Sequence, residues 1–286
     1  TYNFVVVVDD SEMGITHVIR GDDHLSNTPR QCLLYDALDF KRPKFSHISM
    51  ILGQDKTRLS KRHGATSALA YRDMGYLADA MINYLARLGW SHGDQEIFSR
   101  EDLIKYFSFD SVNISAAIFD ADKLSWVNEQ YIQKTMPEDL AKQLEPHLIK
   151  VGILEQGHGL SLQEIAKVVP CLNNRAKTLV EMAEKSAFFF NKQVKFDEKA
   201  KNKFLTDESK ALLEKVVMGL TPLDDFSAEN IESLFKKIVE KEGLKLGKLA
   251  QPVRVALTGT TVSPGIYDVI LLLGKEESLK RLKEVV

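Results

Sequence analysis

Cysteine is nearly absent from this 286-residue chain: only Cys32 and Cys171 occur, far apart, each inside an apolar pattern. A disulfide framework or a metal site needs more ligands at closer spacing, so both read as reduced core residues of a cytosolic protein. Long apolar runs are also missing. None approaches the ~18 residues of a membrane span, and no signal-peptide pattern is present. Charge of one sign is lacking too. With 38 Lys and Arg against 40 Asp and Glu, the net charge is −2, which excludes a global attraction to nucleic acid and leaves any such contact to local basic patches. There is no internal repeat and no low-complexity segment. An initiator Met is absent as well. The chain opens at Thr1-Tyr2-Asn3-Phe4 directly into Val5-Val6-Val7-Val8. A continuous β-branched run predicts a strand buried on both faces of a parallel sheet. Such a strand needs partners, so the chain is expected to start inside a domain.

What is present is soluble globular sequence, 44% hydrophobic and 27% charged. Residues 1–64 read as strand, turn, strand, helix, strand, loop. Ile15 to Ile19 is the second strand and ends in the charged cluster Arg20-Gly21-Asp22-Asp23-His24. Thr28 as cap and Pro29 at the first helical position start a helix whose apolar face is Cys32, Leu33, Tyr35, Ala37 and Leu38. Phe45 to Leu52 is the third strand. Strand–helix–strand at this length is a βαβ unit with ligands expected at the strand C-termini. From about residue 65 the strand signal stops and helices with short polar loops take over. Trp126 is expected in the core, Ser161-Leu162-Gln163-Glu164 is a capping box, and Pro252 predicts a kink or a late helix start. The charged stretch Lys192 to Lys203 is the expected joint between two helical subdomains.

The stretch Asp55-Lys56-Thr57-Arg58-Leu59-Ser60-Lys61-Arg62-His63-Gly64 leaves the third strand. Six of its ten side chains are Lys, Arg, His or Asp. A compact basic loop ending in Gly can hold a polyphosphate, since Lys and Arg bring charge and donors while Gly lets the backbone turn. A solvated surface loop is the alternative that charge alone leaves open. Two more basic patches, Asn173 to Lys177 and Lys245 to Arg254, have solvated helix ends as their plain alternative.

The order of these pieces resembles bacterial glutamyl-tRNA synthetases along essentially the whole chain. Arg58-Leu59-Ser60-Lys61-Arg62 looks like that family's form of the class I "KMSKS" loop. Thr1 to Phe4, Gly14 to His24 and Gln251 to Gly259 match three further segments. The resemblance implies a partial α/β Rossmann-like catalytic domain with the loop (1–64), a helical stem-contact connector (65–135), and an all-helical anticodon-binding domain (136–286) with a joint near 190–205. It implies ATP, with Mg2+, as substrate, together with L-glutamate and tRNA(Glu), in a cytoplasmic monomer with no membrane contact. Lys61 would stabilise charge on the departing pyrophosphate, with Ser60 and Arg58 positioning the loop. Leu52, Asp23 and His24 would lie by the adenosine. Arg20 would pair with the glutamate side-chain carboxylate, beside Tyr2 and Asn3 on the neighbouring strand. Arg175 and Arg254 would read anticodon bases, and an Arg at 175 is the form that discriminates against glutamine tRNA.

The family's "HIGH" motif is absent from these 286 residues, and no histidine replaces it. The chain alone is therefore expected to lack useful aminoacylation activity. The family's zinc site, where present, lies in the missing part, so no metal is expected. Two alternatives stay open: a non-discriminating glutamyl enzyme, and a stand-alone tRNA-binding remnant of a synthetase. Residues 136–286 argue against the short paralogue that lacks this half, and the helical pattern argues against a glutaminyl enzyme with its β-barrels.

Overall fold

The computed structural model describes residues 2–60 and 67–286. In chain order the elements are α1 (Tyr2–Glu12), β1 (His17–Gly21), a 3-10 turn (Asp22–Asn27), α2 (Thr28–Ala37), β2 (Lys44–Ile48), β3 (Ile51–Leu52), α3 (Ala68–Asp73), α4 (Ala78–Gly89), α5 (Arg100–Tyr106), β4 (Ala117–Ile118) and α6 (Ala121–Lys134). The remaining helices are α7 (Pro137–Lys150), α8 (Leu162–Ala166), α9 (Val169–Leu172), α10 (Leu179–Phe190), α11 (Glu198–Phe204), α12 (Asp207–Leu220), α13 (Ala228–Glu242), α14 (Leu246–Thr258) and α15 (Ile266–Val285). The chain forms two compact units. One holds Thr1–Arg72 and Tyr76–Tyr131, the other Asp73–Gly75 and Ile132–Val286.

The opening valine run is a helix, not the expected strand. Along α1 only Val7 is fully buried, flanked by partly buried Asn3, Val6 and Asp10. That is helical spacing, and this face packs on α2. The β-propensity of four valines is worth less than burying one helical face, because propensity is a weak prior that tertiary packing overrides. Gly14, at φ +66°, turns the chain into β1. From there the βαβ reading holds: β1 and β2 pair in parallel, with Arg20 opposite His47 in register. A second, two-stranded parallel sheet joins β3 to β4, so strand structure continues beyond residue 65. In α2 the buried residues are Gln31 and Tyr35, while Leu33 and Ala37 face outward.

β3 carries the root of the basic loop, and its neighbours fix that root. The Leu52 carbonyl accepts from Phe119 N at 2.8 Å, the Ser49 hydroxyl donates to the Ser115 carbonyl at 3.0 Å, and the Gln54 amide donates to the Phe119 carbonyl at 3.0 Å. Asp120, next in sequence, is held by Tyr84 of α4, whose hydroxyl accepts from Asp120 N at 2.7 Å and donates to its carbonyl at 2.9 Å. Burial of Tyr84 pushes its phenol pKa up to about 12. Tyr84→Phe leaves both Asp120 groups to solvent. The expected loss is about 1 kcal/mol of stability in urea unfolding, the net worth of a typical hydrogen bond, with faster amide exchange at Phe119. Unchanged exchange there would show that Tyr84 does not hold β4.

Trp126, expected in the core, is partly exposed, with the Lys123 ammonium 5.8 Å from its ring centroid. Trp90 is the buried tryptophan. In the second unit, the capping box at Ser161 forms as expected. The core is built by Leu213, Phe235, Leu249, Val253, Leu257, Ile270 and Leu282, all fully buried, each contributing about 1.5–3 kcal/mol on burial. α14 runs through Pro252 and ends at Gly259 in the left-handed region, φ +77°. A Cβ there would lie 2.0 Å from the Lys195 carbonyl oxygen, so the segment before α11 sits directly on this glycine. The stretch expected to be a joint contains α11, capped by the Asp197 carboxylate on Ala200 N at 2.7 Å. α15 breaks at Gly274, whose φ of +77° and ψ of 169° are not helical.

Candidate active site and nucleic-acid interface

In the first unit the register of β1 on β2 sets Arg20 beside His47. Arg20 Nη2 donates to the Thr28 hydroxyl at 2.7 Å, and its Nε points at His47 Nε2 at 3.4 Å. The Thr28 hydroxyl lies 2.9 Å from His47 Nε2. The guanidinium carbon sits 5.5 Å from the centroid of Phe45, two residues before His47 on the same face. Because the Arg20 Nε–H points at His47 Nε2, that nitrogen is an acceptor, and the Thr28 hydroxyl, which accepts from Arg20 Nη2, donates its proton to it. That assigns the neutral Nδ1–H tautomer, and burial together with the Arg20 charge lowers the His47 pKa below its usual value. Arg20 Nη1 makes no hydrogen bond to a described residue, so one arm of the fork remains for a ligand. Thr28, read from sequence as a helix cap, serves Arg20 instead; Asn27 occupies the cap position and neither forms a side-chain cap.

The other residues expected here make their contacts with neighbours other than Arg20. Asn3 accepts from the buried Gln31 amide at 3.0 Å, and Tyr2 lies with its ring centroid 6.1 Å from that of His24. Both sit in the first turn of α1 rather than on a strand. His24 Nδ1 and Asn27 Nδ2 are 3.1 Å apart. Asp23 folds its carboxylate over Gly21, where a Cβ would approach Asp23 Oδ1 to 2.5 Å. Arg58 Nη1 reaches Asp23 Oδ2 at 3.3 Å, so the charged cluster after β1 and the first arm of the basic loop meet. With Arg58 70% exposed, this pair locates the arm but adds little stability. The arm turns at Lys56 (φ +60°), and Leu59 N returns to the Ile51 carbonyl at 2.9 Å. Ser60 closes this arm, partly buried. Lys61 lies outside the described residues. The Leu52 carbonyl is occupied by Phe119 N, which limits what its backbone can offer a base. Among the described residues no cluster of three His, Cys, Asp or Glu is placed to hold a metal ion, and no helix is long and apolar enough to cross a membrane.

In the second unit a cavity of about 740 Å³ is lined by Arg175, Phe188, Asn191, Thr258, Ser263 and Pro264, among others. Arg175 is exposed at its edge. Its carbonyl takes a hydrogen bond from Lys185 Nζ, which also pairs with Glu181. Arg254, on α14, lies behind the cavity wall. Its Nη1 donates to the Pro264 carbonyl at 2.7 Å, the Ser263 carbonyl at 3.2 Å, and the Ser263 hydroxyl. Burial, then the nearby Arg175, lowers its pKa. The cavity thus sets Arg175 beside apolar side chains, with Arg254 behind the wall bracing Ser263 and Pro264, a composition suited to an unstacked base.

Two family models match the two parts of the chain. Residues 1–126 match the model of the class I tRNA synthetase catalytic domain (E and Q), and residues 139–286 match the anticodon binding domain. The chain belongs to the glutamate–tRNA ligase family. It is 52% identical over its whole length to a glutamate–tRNA ligase of Thermodesulfovibrio yellowstonii, and spans 62% of that relative. The Geobacter sulfurreducens ligase is also 52% identical, with 60% of it covered. A crystal structure of the Elizabethkingia meningosepticum glutamate tRNA ligase, in complex with its amino acid, superposes with a TM-score of 0.84 at 34% identity, over all of this chain and 59% of that one. Sequence reasoning on this ligase-family chain missed Thr28, His47 and Gln31 as partners of the site. Only the strand register could have pointed to His47, by placing it opposite Arg20.

Proposed function

We propose that the chain supplies the ATP-loop, amino-acid and anticodon-reading parts of an enzyme that activates L-glutamate with ATP and transfers it to tRNA(Glu), working as a monomer in the cytoplasm. Residues 1–64 are the second half of its nucleotide-binding domain, 65–135 a connector to the tRNA stem, and 136–286 the anticodon domain. Arg20, held by Thr28 and His47, offers its remaining arm to the glutamate side-chain carboxylate as a charge-assisted hydrogen bond. Tyr2 and Asn3 flank that carboxylate. Asp23 and His24 face the ribose, and Leu52 lies by the adenine. ATP enters with its Mg2+. Lys61 meets the triphosphate as pyrophosphate departs, and Arg58 and Ser60 carry the loop between open and closed positions.

The observation that supports this reading most is the cavity with Arg175 at its edge and an Arg254-braced loop forming its wall. Single-stranded bases are read by hydrogen bonds and stacking, so a net charge of −2 is no obstacle where the basic surface is local. The test is anisotropy of a labelled anticodon hairpin of tRNA(Glu) against one with its last anticodon base exchanged. Wild type should prefer the first by roughly tenfold, the scale of one well-placed base contact. Arg175→Gln should bring the two together. Equal binding by wild type would remove the anticodon reading. An unchanged ratio in the variant would remove Arg175 from it.

A further inference from the structure

Arg281 lies on the second half of α15 and is 2% exposed. Its guanidinium is held on every side. Nη1 donates to the carbonyls of Phe188 at 2.6 Å and Leu257 at 2.8 Å. Nη2 donates to the Asn191 carbonyl at 2.9 Å, and Nε to Glu277 Oε1 at 2.7 Å. The three carbonyls close α10 and α14, where backbone acceptors lack helical partners and the helix dipole is negative. Phe188 and Asn191 line the 740 Å³ cavity, and Leu257 precedes Thr258, which also lines it. The break at Gly274 (φ +77°, ψ 169°) redirects α15 before this contact.

We propose that Arg281 is a positioning residue for the base cavity. From behind the wall it locks the ends of α10 and α14 to one another, and so sets the spacing of Phe188 and Asn191 from Thr258. The inference rests on the cavity being the base-reading site. Stability alone is a poor reason for this arrangement. A buried cation carries a desolvation cost that one carboxylate seldom recovers, and apolar replacements of buried ion pairs are often neutral or stabilising. A planar fork, by contrast, fixes the relative position of two helix ends in a way a single ammonium cannot.

The test uses the 286-residue chain with Arg281→Lys, the cognate and base-exchanged anticodon hairpins, and urea unfolding. The cognate-to-exchanged affinity ratio is expected to fall at least fivefold, while the salt dependence of cognate binding, which reports phosphate contacts, stays that of wild type. A merely structural residue would weaken both hairpins alike, and an unchanged ratio in a folded variant overturns the proposal. If Arg281→Lys does not fold, Glu277→Gln is read instead. It keeps the carbonyl clamp but frees the guanidinium from its carboxylate, so a reduced ratio supports the proposal and an unchanged one overturns it. Failure of the underlying reading appears separately, as a wild-type chain that does not distinguish the hairpins, and the proposal then falls with it.

Discussion

Replacing Arg254 with methionine should weaken cognate hairpin binding by about tenfold to a hundredfold, the range of a lost base contact or its support at about 1–3 kcal/mol, yet lower the unfolding free energy by only about 1–2 kcal/mol. The two numbers differ for a physical reason. Methionine fills much of the space of the arginine stem, so the packing of that stem is largely kept. The charge itself is unfavourable where it lies: it is partly buried, it feels Arg175, and no carboxylate among the described residues offsets it. What is lost is the set of bonds to Ser263 and Pro264, whose carbonyls border a cavity that water can enter. A cation kept at a cost, with its donors directed at one loop, is best explained by the loop. Without it, residues 260–264 lose their anchor and the cavity loses one wall. Salt titration separates this account from a phosphate contact. Removing a phosphate contact changes the slope of log affinity against log salt by about one, whereas losing a braced wall leaves the slope alone. A stability loss above about 4 kcal/mol, well beyond the usual effect of a point mutation, or a changed slope, would contradict the account.

How much could be read from sequence depends on which distances matter. The β1–α2–β2 unit was legible from composition and turns because its signals are local: a short alternating strand, a proline in the first helical turn, a second strand. The first helix was not. Four valines favour a strand until the partner is known, and the partner is α2, which buries Val7 along a helical stripe. Trp126 failed for a similar reason. Its spacing suits a core face, but α6 turns Leu124 and Val127 inward instead. The site residues divide in the same way. Arg20, Asp23 and Arg58 stand out because charge concentrates at the ends of strands. Thr28 and His47 do not, because their role comes from register and from a helix start packed against a neighbouring strand. Arg254 was legible as a basic residue near a proline, but its bonds to Ser263 and Pro264 were not. Arg281 gave no signal at all, since an arginine in a charged C-terminal helix reads as solvated surface. Lys61, central to the sequence reading, lies outside the described residues, so its part in the site rests on the order of the loop.

The Arg20–Thr28–His47 arrangement has a pH dependence whose sign is set by its hydrogen bonds. His47 accepts at Nε2, so it must be neutral there. Its pKa in the folded chain is lowered, by burial first and by Arg20 second. A group whose folded pKa lies below its unfolded value stabilises the fold above the unfolded pKa, about 6.5 for histidine. That contribution declines as pH falls from there through the folded pKa. Below it, His47 carries a proton on the nitrogen that Thr28 needs as acceptor, and two cations face each other across one hydroxyl. The wild-type chain should therefore lose stability as pH falls from about 6.5 through the folded pKa of His47, beyond what its carboxylates account for, and His47→Gln should flatten that limb. Thr28→Val tests the bridge itself. It leaves Arg20 Nη2 and His47 Nε2 without their shared partner and should cost about 1–3 kcal/mol at about pH 8. Below the folded pKa of His47, which the NMR titration of its ring locates, the cost should be smaller, because protonation has broken the chain of bonds in wild type. Urea unfolding of both variants at the two pH values decides the matter, with the His47 ring titration by NMR as a direct check. If Thr28→Val costs the same at the acid pH as at the alkaline one, the hydroxyl does not link Arg20 to His47, and Arg20 is held by Phe45 and the strand alone.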